Sequence, residues 1–365
     1  MSWDDIIRAD LAGLEPYRPG LRASEVRERT GHERVVKLSS NESPDGPFPS
    51  AIAAIEAVAP RLNRYPDGSA RALREKLATR LGITAEEVVV GAGSNELLRL
   101  IAQAVLTPGD EVVYAWPSFV VYPMVCGMFG VKGVAVPLKD GVHDVEAMLA
   151  AITPKTKLIF LCNPNNPTGT VYGRKAFEKV LAEVPPHVLV VVDEAYFEFV
   201  TRADFPDGME AFDGRRPLVV ARTFSKIYGL AGARVGYAAA PRPLAEAVDK
   251  VREPFNVSSL AQAAAYYSID DDAEVRRRRA SNQEQKTYLY SGFDRLGVSY
   301  LPSETNFVWV SAAKPVEAFE ALLEEGVIVR SFGPAGALRV TVPSAQDAPA
   351  VIAAFEAAVA RLGSL

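Results

Sequence analysis

Short runs of valine, isoleucine and leucine recur between residues 50 and 252, and helical patterns such as GRKAFEKVLAEV lie between them. The runs do not alternate apolar with polar residues, so both faces of each strand are predicted to be buried. Sheets covered on both faces by crossover helices are mostly parallel. The sequence therefore predicts an α/β fold with a mostly parallel sheet covered by helices on both faces, built from EEVVV, DEVVYAW, KGVAVPL, TKLIFL, HVLVVV and RPLVVA.

The chain length predicts two domains, because 365 residues exceed a typical domain of about 150. The proline-rich opening over residues 1–49 is predicted to be an N-terminal arm with a segment of the small domain. Residues 50–252 are predicted to form the large domain, which contains this sheet. From residue 253 a long helical segment leads into further strands, which predicts a smaller α+β C-terminal domain over residues 253–365.

Charge and cysteine content limit the partners and the compartment. Forty-five acidic against forty basic residues give a net charge of −5, which argues against nucleic acid as a partner. Two cysteines, Cys126 and Cys162, are too few for a disulfide framework and are typical of a reducing compartment. The N-terminus has neither the bases of a signal peptide nor an apolar run that could span a membrane. We therefore expect a cytoplasmic protein without membrane contact.

Two further features are predicted to carry no chemistry. The histidines His32, His143 and His187 lack metal-ligand spacing, so no metal site is predicted. The run Arg276–Arg279 follows acidic residues in a helical context and is interpreted as a solvated helix face rather than a nucleic-acid patch.

Polar residues cluster where four of the predicted strands end, and ligands of open parallel sheets bind beyond the carboxyl ends of strands. The first cluster, GAGSNE, runs from Gly91 to Glu96 before an apolar helix, so helix-start amides are offered to an anion such as phosphate. A dinucleotide fingerprint is disfavoured because Glu96 occupies the third glycine position, and there is no P-loop. A tight turn without a ligand remains an alternative for this motif alone.

The next two clusters present amides and a carboxylate. Prolines and asparagines in CNPNNPTG, from Cys162 to Gly169, form a rigid turn that displays side-chain amides. Asp193 and Tyr196 follow HVLVVV, and a carboxylate at the mouth of a buried sheet normally needs a cationic partner.

The fourth cluster contains a nearly isolated lysine. Lys226 lies among Thr223, Ser225 and apolar residues, with Arg234 downstream. A lysine in a surface ion pair is the alternative for this residue alone. Taken together, the four strand ends supply what pyridoxal 5'-phosphate requires: anion-binding groups, a carboxylate for the ring nitrogen and an amine for a Schiff base.

Five stretches resemble the fold-type I pyridoxal-phosphate aminotransferase family, and the resemblance covers essentially the whole chain. They are VKLSSNESPDGP, RYPDG, CNPNNPTG, VVVDEAY and TFSKIYGLAGARVGY. Within the family the chain is most similar to the histidinol-phosphate aminotransferases. The resemblance implies transamination of histidinol phosphate with 2-oxoglutarate, giving imidazole-acetol phosphate and glutamate in histidine biosynthesis. It also implies a homodimer with shared active sites.

The resemblance assigns roles to individual residues. Lys226 is implied as the Schiff-base lysine, Asp193 as the partner of the pyridinium nitrogen, and Tyr196 as a partner of the ring hydroxyl. The other implied cofactor contacts are Gly93, Ser94, Asn95, Phe119, Asn166, Thr223, Ser225, Arg234 and, across the dimer interface, Tyr65. The implied substrate contacts are Tyr17, Asn41, Arg330 and Arg339. Phe119 stands where some relatives have tyrosine, and the interval between Arg330 and Arg339 is short.

Other functions stay open on the same motifs. Aromatic amino-acid aminotransferases and threonine-phosphate decarboxylases share the cofactor residues, so the motifs do not separate them from the first interpretation. A regulator that uses this fold as a sensor is disfavoured because the sequence shows no DNA-binding extension. A dehydrogenase is disfavoured because the dinucleotide fingerprint is missing.

Overall fold

The computed structural model describes residues 3, 6–8, 11, 16 and 19–365. Its strands are β1 Val36–Lys37, β2 Val88–Gly91, β3 Glu111–Trp116, β4 Lys132–Pro137, β5 Thr156–Cys162, β6 Leu189–Asp193, β7 Leu218–Thr223, β8 Gly236–Ala239, β9 Tyr300–Leu301, β10 Phe307–Ser311, β11 Val327–Ile328, β12 Arg330–Phe332 and β13 Ala337–Thr341. Its helices are α1 Ala23–Thr30, α2 Pro49–Val58, α3 Arg71–Leu81, α4 Ser94–Val105, α5 Val121–Phe129, α6 Val145–Ala150, α7 Arg174–Glu183, α8 Gly208–Ala211, α9 Arg242–Val251, α10 Ser259–Ser268, α11 Asp272–Leu296, α12 Pro315–Glu324 and α13 Ala348–Leu362.

A seven-stranded sheet in the order β2-β8-β7-β6-β5-β3-β4 forms the centre of the molecule. Strands β4, β3, β5, β6 and β7 run parallel to one another, and β8 runs antiparallel to both β7 and β2. The predicted mostly parallel α/β sheet is therefore confirmed. The one strand of this sheet that the sequence did not predict is β8. Its sequence GYAA carries none of the β-branched residues that mark the other strands.

Helices cover both faces of this sheet, as the continuous apolar runs predict. Alternate residues of β5 enter different cores: Leu158 and Phe160 pack with α4, α5 and α9, whereas Ile159 and Leu161 pack with α6 and α7. Because both faces are occupied, a polar ligand reaches the sheet only at the strand ends.

A second, antiparallel sheet in the order β12-β13-β10-β9 packs with α11, α12 and α13 around a separate core. The N-terminal segment contributes β1, which pairs in parallel with β11, so Val36 and Leu38 join this core. The domain limits at residues 49 and 252 stay predictions. Among the described residues, no helix is both long enough and apolar enough to cross a membrane.

The long helical pattern after residue 253 forms two helices, α10 and α11, because residues 269–271 are not helical. Asp271 caps α11 by accepting a hydrogen bond from the backbone N–H of Glu274 at 3.1 Å. The interpretation of Arg276–Arg279 as a solvated face is wrong for one residue: Arg278 is only 6% exposed. The run gave no sign of this because four adjacent identical residues carry no helical periodicity.

Candidate active site

A cavity of about 300 Å³ lies at the carboxyl ends of β5, β6 and β7, between the two sheets. It brings together most of the site residues predicted from the sequence. Those that line it are Asn41, Ser94, Asn95, Phe119, Asn166, Asp193, Tyr196, Thr223, Ser225, Lys226, Arg234 and Arg339.

The N-terminus of α4 and Arg234 form an anion-binding corner of this cavity. Arg234 donates through Nη1 to Oγ of Ser225 at 3.4 Å and to the carbonyl of Ala231 at 3.0 Å. Gly93 precedes the helix with φ +87°, and a Cβ there would lie 2.6 Å from Nη2 of Arg234. Glycine is therefore required for the guanidinium to approach the helix end. Helix-start amides and a guanidinium both bind phosphate oxygens, so this corner fits a phosphate group.

Asp193 presents a buried carboxylate at the end of β6. Its Oδ2 accepts a hydrogen bond from the hydroxyl of Tyr122 at 3.0 Å, and its Oδ1 accepts from the N–H of Ala195 at 3.2 Å. Burial raises the pKa of Asp193 to about 6, although both hydrogen bonds act in the opposite direction. A carboxylate desolvated in this way is stabilised by a cationic guest, such as a protonated ring nitrogen.

The neighbouring carboxylate faces the other side of the strand and is neutralised inside the protein. Glu194 accepts from Nε of Arg222 at 2.9 Å and from the N–H of Gly208 at 2.7 Å. Asp207 is a second partner of Arg222, at 2.6 Å. Burial raises the pKa of Glu194 to about 7, and Arg222 opposes this rise. Glu194 therefore supports the strand end without needing a guest.

Two hydrogen-bonded pairs join the second sheet and the N-terminal segment to the cavity. Arg339 donates from Nη1 to Oδ1 of Asn166 at 2.6 Å, which leaves the amide NH₂ of Asn166 for another acceptor. Nδ2 of Asn41 donates to the hydroxyl oxygen of Tyr196 at 2.8 Å. The phenol keeps its own proton for donation, for example to a ring oxygen.

The Lys226 amine lies inside the cavity. Its Nζ donates to the carbonyl of Asn41 at 3.3 Å and lies 5.6 Å from the centre of the Tyr196 ring. Burial, together with the charge of Arg339, lowers the pKa of Lys226 to about 8. A larger fraction of this amine is therefore neutral and nucleophilic near pH 7 than of an exposed lysine.

Tyr65 and Arg330, both predicted as site residues, are not part of the cavity wall. Tyr65 is 83% exposed and stacks on Phe255 with 4.6 Å between ring centres. Arg330 lies opposite Arg339 in the register of β12 and β13, so both side chains project from the same face of the sheet. Tyr17 is outside the described residues.

Sequence reasoning missed Tyr122, the hydrogen-bond donor to Asp193. Its only signal in the sequence is an aromatic residue three positions after Phe119. In the structure the two ring centres are 5.9 Å apart at the start of α5. Glu42 was also missed; it lines the cavity and pairs with Lys37 at 2.9 Å.

Taken together, the donor set fits a phosphorylated pyridine aldehyde. The phosphate corner, the buried carboxylate, the donors near a ring oxygen and the cavity amine are the four elements that such a group requires. Among the described residues, no group of three or more His, Cys, Asp or Glu side chains could hold a metal ion.

Comparison with known proteins agrees with this interpretation of the cavity. The family model described as aminotransferase class I and II matches residues 33–355. The chain is 45% identical to histidinol-phosphate aminotransferase of Moorella thermoacetica over 92% of this chain and 88% of the relative. It is 44% identical to aromatic amino acid aminotransferase of Corynebacterium jeikeium over 98% of this chain and 95% of the relative.

A solved structure shares the whole fold. The crystal structure of histidinol-phosphate aminotransferase from Sinorhizobium meliloti in complex with pyridoxal-5'-phosphate superposes with a TM-score of 0.89 at 28% identity. The superposition covers 98% of each chain.

Proposed function

The chain belongs to the class I and II aminotransferase family, and we propose that it transfers the amino group of histidinol phosphate to 2-oxoglutarate, a step of histidine biosynthesis. The observation that carries this proposal is the presence of Lys226, Asp193 and Arg339 in one cavity. The enzyme uses pyridoxal 5'-phosphate. The cofactor supplies a carbonyl that exchanges with amines and a ring that withdraws electrons.

In this proposal each residue of the cavity has a defined task. Lys226 would hold the cofactor covalently, and its amine, whose pKa is lowered to about 8 in the free protein, would move a proton at the substrate carbon. Asp193 would keep the ring nitrogen protonated, with Tyr122 orienting its carboxylate. Tyr196 and Asn166 would donate to the ring oxygen.

The substrate anion is assigned to the second sheet. Histidinol phosphate brings a phosphate and glutamate brings carboxylates, and guanidinium groups bind either anion through paired hydrogen bonds. Arg339 is in the cavity, and Arg330 projects from the same face of the adjacent strand. Like charges in register are relieved by a bound anion, which favours a doubly charged phosphate. Asn41, which lies in the cavity wall and donates to the Tyr196 hydroxyl, and Tyr17 both stay predicted substrate contacts.

A second candidate is transamination of aromatic amino acids, because the relative from Corynebacterium jeikeium matches nearly the whole chain. Initial rates with histidinol phosphate, phenylalanine and threonine phosphate, each with 2-oxoglutarate, separate the candidates. We expect the highest kcat/KM with histidinol phosphate. A higher value with phenylalanine replaces our assignment, and carbon dioxide release from threonine phosphate indicates a decarboxylase.

We further propose a homodimer in which Tyr65 reaches the partner's cofactor. The exposed Tyr65 ring, held against Phe255, supports this proposal. Mixing Lys226→Ala with Tyr65→Ala subunits tests it, because hybrid dimers regain one complete site. Absence of recovery after verified subunit exchange contradicts site sharing.

A cytoplasmic location is proposed from the two buried free cysteines. Cell fractionation checks the location, and recovery of the protein outside the cytoplasm contradicts it.

A further inference from the structure

The buried arginine of α11 is a feature that the proposed reaction does not use. Its neighbour Arg277 is exposed and forms ion pairs with Glu274 at 2.8 Å and Asp45 at 3.0 Å. Arg278 is 6% exposed, although a buried guanidinium is costly unless its charge and donors are satisfied. The two adjacent arginines therefore have different environments.

Each nitrogen of the Arg278 guanidinium has a partner. Nε donates to Oε1 of Glu274 at 2.8 Å, which balances the charge. Nη1 donates to the carbonyl of Ile227 at 3.1 Å, and Nη2 donates to the carbonyl of Gly46 at 2.7 Å. The guanidinium carbon lies 4.4 Å from the centre of the Phe48 ring. Arg278 thus connects α11 to two main-chain segments.

Both segments are close in the chain to Lys226 or to the acceptor of its amine. Ile227 is the next residue in the chain, and Gly46 follows the segment in which the Asn41 carbonyl accepts from Nζ of Lys226. At Gly229, where φ is +68°, a Cβ would lie 2.5 Å from the Gly46 carbonyl oxygen and 2.9 Å from Nη1 of Arg278. The two segments and the guanidinium are therefore packed without room for a methyl group.

We propose that Arg278 is a positioning residue for Lys226. It fixes the main chain next to the lysine, at Ile227, and the main chain near the acceptor of the lysine amine, at Gly46. The proposal rests on the assignment of Lys226 as the cofactor lysine. Loss of Arg278 leaves two buried carbonyls without this donor, and the segments shift relative to each other. Nζ of Lys226 then loses its fixed place beside the Asn41 carbonyl.

The test compares Arg278→Met and Arg278→Lys with Arg277→Ala. The control removes an arginine that shares Glu274 but donates to neither carbonyl. In cofactor-free protein, the acetylation rate of Lys226 is followed against pH by peptide mass spectrometry. In the holoenzyme, the pH midpoint of the cofactor absorption change, kcat and KM are measured.

We expect Arg278→Met to move both pH midpoints by about half a pH unit or more, because a displaced Lys226 amine has different neighbours and therefore a different pKa. Its kcat should fall about tenfold with little change in KM, because misplacement of a catalytic group costs rate rather than binding. Arg278→Lys, which can reach a single carbonyl, should fall between Arg278→Met and the wild type. Arg277→Ala should match the wild type.

Midpoints and kcat equal to those of Arg277→Ala in a folded Arg278 variant would overturn the proposal. If Arg278→Met does not fold, Arg278→Lys decides by the same measurements. Borohydride reduction of the wild type shows whether the cofactor is attached at Lys226. Failure there contradicts the proposed function, whereas the acetylation profile of the cofactor-free protein still reports on Arg278.

Discussion

The cavity and the inner face of α11 each contain a lysine whose pKa is lowered, but only the cavity lysine lies beside open space and other functional groups. Burial lowers the pKa of Lys226 and of Lys286 to about 8, and each amine donates to a main-chain carbonyl. Lys226 shares a cavity of about 300 Å³ with Asp193 and Arg339. Lys286 is 1% exposed and is held by the carbonyl of Ser303 at 2.6 Å. A lowered pKa therefore follows from burial, whereas chemistry also needs space and companion groups.

The largest effect is expected at the cavity lysine. Lys226→Ala should show no detectable turnover, because it removes both the covalent attachment and the proton carrier. Lys286→Met should keep the wild-type kcat. Borohydride reduction of the holoenzyme followed by peptide mass spectrometry should place the cofactor on Lys226 alone. A reduced adduct on Lys286, or turnover by Lys226→Ala, breaks the comparison.

The next effect separates two adjacent carboxylates in the same way. Asp193→Asn should lower kcat by about 10²–10³-fold with the cofactor still attached, because an amide cannot stabilise a protonated ring nitrogen. Glu194→Gln should keep kcat within a few fold but lose about 1–3 kcal/mol of unfolding free energy, because it weakens a buried hydrogen-bonded pair. Steady-state rates and urea unfolding measure both. Equal loss of kcat in the two variants removes the distinction.

A smaller effect is expected where the second sheet meets the cavity. Loss of Arg339 should cost about 1.5–3 kcal/mol of transition-state binding with both histidinol phosphate and glutamate. Arg330→Ala should reduce kcat/KM mainly for histidinol phosphate, because glutamate carries no phosphate. Measuring kcat/KM with each donor decides the point. Equal losses with the two donors rule out a phosphate role for Arg330.

The smallest effect concerns the pH dependence of stability at Lys286. Its folded-state pKa of about 8 is below the ordinary value of 10.5, so between these pH values the unfolded chain binds more protons. Stability should therefore rise with pH in this window and fall as pH drops towards 8. The wild type should gain on the order of 1–3 kcal/mol of unfolding free energy between pH 7.5 and pH 10 from this group, and Lys286→Met should not show this gain. Urea unfolding of cofactor-free protein at pH 7.5 and pH 10 tests it, and identical slopes contradict the expected burial.

Features marked by composition could be predicted, and features that depend on tertiary contacts could not. Runs of valine, isoleucine and leucine identified six strands of the large sheet, and polar residues after them identified Asp193 and Lys226. Strand β8 was missed because small residues gain strand character only from their neighbours. Tyr122 was missed because its partner lies 71 residues away in sequence. Arg278 was misread because two of its three acceptors are main-chain carbonyls, which have no sequence signature.

The main-chain acceptors of the α11 side chains have a consequence for how this enzyme varies over evolution. Arg278, Asn282 and Lys286 donate to the carbonyls of Ile227, Gly46, Thr305 and Ser303. Every amino acid supplies a carbonyl, so a substitution that preserves the backbone path at these acceptor positions leaves the bonds intact. Pairwise covariation between donor and acceptor positions should therefore be weak, even though these contacts connect the main chain next to Lys226 with the residues that lead into the second sheet.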